Sequence, residues 1–192
     1  MYQVVLIFHI VNVVLMAAPY YNLVVVSERS KFGPAHVQVD RYFEQIVRGI
    51  LFRCYFIQWS VLLLGLLLVG LHNNWSFQSL LTQWQLLIKE AAWVAIMVVH
   101  NLVYFGIQPR IEALLRGLQG ESIPPEITSR VTTLRIRRKQ GAAACFFFVL
   151  VAVIMGVQIS RPLGPGTTVA LTLLALLFAW RAYRSGVQYG WV

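Results

Sequence analysis

Residues 84–110, WQLLIKEAAWVAIMVVHNLVYFGIQPR, decide how the rest of the chain is read. The stretch is long enough to cross a bilayer, since about 20 apolar residues span about 30 Å of hydrocarbon. It nevertheless carries Lys89, Glu90, His100 and Asn101. Glu90, Trp93, Met97, His100, Asn101 and Tyr104 recur at steps of three and four, which puts them on one face of a helix. Lipid cannot satisfy a polar stripe, so it faces other helices, a ligand or a water-filled cavity. The remaining apolar segments are expected to supply that wall.

The chain of 192 residues is 58% hydrophobic and 12% charged, a composition that soluble domains rarely show. Five spans are expected, over residues 4–26, 50–71, 86–107, 142–159 and 168–183. They define one polytopic domain over residues 1–192. The expected fold is an all-α integral membrane protein, an antiparallel four-helix bundle with one added C-terminal helix. The first apolar run is long and lacks a positive n-region, so it reads as a retained helix kinked at Pro19. Gly33-Pro34 marks a turn before the second span. HNNWSFQSLLTQW, at 72–84, holds no Lys or Arg and two tryptophans, and reads as an interfacial turn. Residues 110–140 read as a basic loop broken at Pro124-Pro125.

The net charge of +9 could suggest nucleic acid, but its placement points to the membrane. Fourteen of the 16 basic residues fall on one side of the expected spans, leaving Lys89 and Arg161 on the other. By the positive-inside rule the N-terminus is outside and the C-terminus cytoplasmic, as in a bacterial inner membrane. Arg130, Arg135, Arg137, Arg138 and Lys139 are the residues expected to touch anionic headgroups or a partner subunit. No nucleic-acid partner is expected. Cys54 and Cys145 stand alone, with neither a disulfide framework nor zinc-ligand spacing.

An ionisable group within a bilayer costs at least about 2.5 kcal/mol on insertion scales, so each one needs a reason. Lys89 and Glu90 lie near the outer interface and can snorkel to it. His100 with Asn101, and His9 with Asn12, can serve as interhelical hydrogen-bonding glue. The alternative is a haem or metal site, since bundles hold haem iron on inward-facing imidazoles. Depth sorts the candidates. His9 lies about 12 Å from the level of His100 at 1.5 Å per residue, awkward for one haem. It matches Lys89 and Glu90, with His72 just above. A pocket in the outer half would therefore use His9 with Lys89 or His72, and His100 would belong to a deeper feature. No Gly-rich phosphate loop, nucleophile elbow, zincin motif or carboxylate dyad occurs, and of seven acidic residues only Glu90 lies within an expected span.

HIVNVVLMAAPYY, at 9–21, resembles the first-helix pattern H-I-I-A-V-V-A-W-M-A-G-L-x-Y of the HemJ-type membrane protoporphyrinogen oxidases. With one position of the pattern skipped after His9, Met16, Ala17 and Tyr21 match its Met, Ala and Tyr, while Leu15 and Ala18 stand for its tryptophan and glycine. The family's third helix carries a lysine with a histidine eleven residues on, the spacing of Lys89 and His100. Arg161-Pro162 resembles the Lys-Pro that closes its fourth helix. The same loose group includes CopD-like copper-handling proteins. The resemblance covers about residues 5–163 and implies a bundle associated with haem b, with His9, Lys89, His72 and His100 as candidate cofactor contacts.

Two functions follow as expectations. One is an accessory, structural subunit of a larger respiratory or photosynthetic electron-transfer complex rather than an enzyme. Its motive is the absence of an active-site motif beside 13% aromatics and interfacial tryptophans. The alternative is a haem-b-binding or copper-handling bundle acting in electron transfer or tetrapyrrole oxidation.

Overall fold

A computed structural model describes residues 1–27, 36–73, 75–76, 78–119 and 121–184. The expected turn at Gly33-Pro34 lies outside them. Helices α1 (Tyr2–Ser27), α2 (Val37–His72) and the short α3 (Gln78–Thr82) come first. Then follow α4 (Trp84–Asn101), a π-helical turn (Leu102–Ile107), α5 (Gln108–Arg116), α6 (Pro125–Ser160) and α7 (Pro165–Arg184). The chain is all-α, and five helices are long and apolar enough to cross a membrane. It is an integral membrane protein. α1 packs on α2 and α6, and α4 packs on α6 and faces α2, which closes a four-helix ring. α7 packs mainly on α6, with Phe178 against Phe146 at 5.6 Å. Only Ala175, Ala179 and Ala182 of α7 are buried. Small residues bring it close to α6 while its leucines face lipid.

The core joins Met16 and Tyr20 of α1, Leu51 and Cys54 of α2, Ile96 and Val103 of the third span, and Cys145 and Val149 of α6. Ala92, Ile96, Val99 and Val103 form the stripe that meets α6. Gly141 permits the approach there, because a Cβ on it would stand 3.0 Å from Val103 Cγ2. The neighbouring stripe holds Trp93, His100 and Tyr104 and meets α2. Trp93, His100 and Tyr104 thus look toward the seam between α2 and α4, while Asn101 is exposed. At the far end of α2, Gly70 is needed for a different reason. Trp75, at φ 65°, folds back so that its ring lies 2.6 Å from where a Gly70 Cβ would stand.

The basic loop is the main correction. Residues 108–116 and 125–140 are helical, and α4, the π turn and α5 form one rod of 33 residues. Pro109 explains the π turn. It has no N–H for the Phe105 carbonyl, and its ring would clash with that carbonyl in an α-helix. The chain slips by one residue, so that the Gln108 N–H reaches Val103 O, five residues back. The α1 helix likewise runs through Pro19.

α2 and α6 have 36 residues each, so each is about 54 Å long against about 30 Å of hydrocarbon. Their polar ends and α5 therefore project together from the basic side. This projection has its own small core, Ile111, Leu115 and Val131, backed by Ile123, Ile127 and Leu134. Arg41 of α2 caps α5, donating Nε and Nη2 to Leu115 O at 3.0 and 2.9 Å. Nη2 also donates to Arg116 O and Leu118 O, at 3.0 and 2.6 Å. The last carbonyls of a helix lack i+4 partners, and the cation favours the negative end of the helix dipole.

Candidate functional site

Polar side chains line the interior at successive depths. Nearest the weakly charged side, His9 of α1 rests on α2, where a Cβ on Gly65 would lie 3.4 Å from its Cε1. Lys89 of α4 rests on α6, its Nζ 3.7 Å from where a Gly156 Cβ would stand. α1 and α4 are diagonal in the ring. His9 Nδ1 is buried with no hydrogen-bond partner, and so is Glu90 Oε1. Gly65 and Gly156, on the two intervening helices, leave room beside His9 and Lys89 respectively. His72 does not join them. It is exposed, stacks near Tyr2 with ring centres 5.9 Å apart, and lies seven residues, about 10 Å, beyond Gly65 on α2.

Deeper, Ser60 donates to Asn12 Oδ1 at 2.8 Å. Gln58 donates to Tyr20 Oη at 2.8 Å, while Trp93 Nε1 donates to the Gln58 carbonyl at 3.1 Å. The next layer belongs to His100, which is 1% exposed. Tyr55 stands edge-on to it at 4.3 Å and Tyr104 lies parallel at 6.2 Å. The Tyr55 hydroxyl donates to Asn101 Oδ1. His100 Nε2 has no partner. The residues that mark the two histidines on α2, Gly65 and Tyr55, are ten residues apart, about 15 Å. His9 and His100 lie at separate depths and share no centre.

The resemblance in the first and third helices implies haem b, and the donors can be tested for fit. A buried imidazole nitrogen without a partner suits an axial ligand. The surroundings do not suit the porphyrin. Nδ1 is closed off from solvent and lies 3.9 Å from the Gly65 Cβ position, with α1 seated on α2 around it. A macrocycle enters only if those helices part. Haem b does not fit the packed bundle. Among the described residues no group of three or more His, Cys, Asp or Glu side chains could hold a metal ion.

The strongest electrostatics lie outside the apolar spans, in the projection. Arg138 of α6 is 1% exposed and donates to Glu44 Oε2 of α2. It also donates to Gln108 Oε1 of α5 at 2.6 Å. Gln108 Nε2 in turn donates to Glu44 Oε2 and to Glu112 Oε1, each at 3.1 Å. Arg135 joins Glu44 Oε1 at 2.9 Å and Asp40 Oδ2 at 3.3 Å. Two guanidiniums meet two buried carboxylates, so the charges balance. Arg48 adds a more exposed pair with Glu112 at 3.1 Å.

Sequence reasoning placed Arg135, Arg138 and Lys139 on an outward basic face, and the structure corrects that. Arg135 and Arg138 are bound into this cluster, and Lys139 is 2% exposed. Arg130 and Arg137 do face outward. A signal existed. Asp40 and Glu44 stand one turn apart on α2, as do Arg135 and Arg138 on α6, so each pair presents one sign on one helix face. Comparison of the chain with known protein families, with curated proteins and with solved structures found no match.

Proposed function

We propose that the protein is an accessory, structural subunit of a larger membrane assembly. One observation carries this reading: α2, α5 and α6 are clamped outside the bilayer into one unit by the buried Arg138–Glu44–Gln108 cluster. A buried ion cluster adds little net stability once desolvation is counted, but it can fix one geometry. A rigid shape held beyond the lipid suits fitting against another surface. The likeness of the first and third helices to haem-associated bundles is our reason for choosing an electron-transfer assembly as the class of complex.

The test is purification at native expression in mild detergent, with mass spectrometry of whatever elutes with the chain. The expected result is one or more membrane proteins in fixed stoichiometry, lost when Arg138→Met loosens the clamp. A chain that elutes alone under every mild condition overturns the proposal. A reduced-minus-oxidised spectrum with Soret and α bands from the isolated chain would replace it with haem b binding, and would require α1 and α2 to part around His9.

A further inference from the structure

On the outer side of the projection, α5 and α6 leave an open groove of about 600 Å³ between them. Arg110 of α5 and Arg130 and Arg137 of α6 line it. Leu114 and Leu134 also line it, and no acidic residue does. On α6, Arg130, Leu134 and Arg137 recur at steps of four and three, which puts them on one face. That face lies about 100° round the helix from the one carrying Arg135 and Arg138. Among the described residues none of the three groove arginines has a hydrogen bond or ion pair, whereas Arg41, Arg48, Arg135 and Arg138 all do. The chain has thus placed three unneutralised guanidiniums around an apolar floor.

Depth identifies what reaches them. The apolar part of α6 begins at Ala142, so Arg137 stands five residues, about 7 Å, outside the hydrocarbon. Arg110 follows the end of the third span at Ile107 by three residues, about 4.5 Å. The headgroup layer is about 5–7 Å thick on each side, so both guanidiniums are at phosphate level. Arg130, about 18 Å out, closes the far end of the groove. A guanidinium grips phosphate oxygens with two parallel N–H donors, which a lysine ammonium cannot do.

We propose that this groove binds the headgroup of an anionic phospholipid from the leaflet on the basic side, its phosphate held by Arg110 and Arg137. Leu114 and Leu134 then lie under the glycerol and the first methylenes. The inference needs the membrane crossing but not the accessory-subunit reading, so either can fail without the other.

The test uses the full chain in neutral detergent, with native mass spectrometry reading bound phosphatidylglycerol against phosphatidylcholine. The wild type should retain phosphatidylglycerol selectively. The triple variant Arg110→Gln/Arg130→Gln/Arg137→Gln should lose that selectivity by roughly tenfold or more. A control triple, Arg53→Gln/Arg181→Gln/Arg184→Gln, removes the same charge elsewhere and should keep it. Thr133→Trp fills the groove without changing its charge and should also lose it, with helicity by circular dichroism unchanged. Equal retention of the two lipids by the wild type overturns the proposal. So does equal loss in the control triple, or intact selectivity in Thr133→Trp. If both groove variants keep the lipid and instead lose a co-purifying protein, the groove belongs to an acidic protein segment and the lipid assignment is wrong.

Discussion

Arg138 shows how a single residue changes meaning between sequence and structure. In the sequence it is one of four cations in RIRRK, at 135–139. In the fold it is the hub that joins α2, α5 and α6. Arg138→Met should cost about 3 kcal/mol, because the buried Glu44 then keeps only Arg135 of its two cations. Combining it with Glu44→Leu should recover most of that loss, since both charges then leave together. Unfolding of the detergent-solubilised variants measures both, and additive losses in the double variant would deny the coupling. The histidines were more legible. Their depths follow from helix geometry alone, so the separation of His9 from His100 could be read in advance. The glycines opposite them could not, because an isolated Gly65 or Gly156 looks the same in a lipid-facing run.

At the scale of elements, the spans were legible because hydrophobic length is decisive in a bilayer, and the projection was not. The basic content and Pro124-Pro125 made residues 110–140 look like a loop. Helicity there comes from packing that sequence periodicity hardly shows: Ile111, Leu115 and Val131 in a small core, and Arg41 capping α5 from 74 residues away. Two glycines test this account of the packing. Gly141→Leu should cost about 1–3 kcal/mol, since its Cβ alone would stand 3.0 Å from Val103 and 3.3 Å from Val99. Gly49→Ala has nothing within 4 Å of the new methyl and should gain about 0.5–1 kcal/mol from helix propensity. Melting temperatures moving the same way in both would show that the α4–α6 seam is looser than described.

At the scale of the whole molecule, the basic residues and the polar projection lie together at one end. A reporter fused at the C-terminus should be cytoplasmic, and a periplasmic signal from it would invert the orientation expected from the positive-inside bias. The two ends are also held unequally. At the charged end, α2, α5 and α6 are riveted by ion pairs that cannot be lost one at a time without stranding a charge. At the other end, His9 rests against Gly65 and Lys89 against Gly156, and no ion pair joins the helices there among the described residues. Such a bundle behaves as a clothes-peg with a fixed hinge. Strain from a thicker, thinner or more curved bilayer should be taken up first at the mouth, where His9 and Lys89 lie without an ion pair among the described residues.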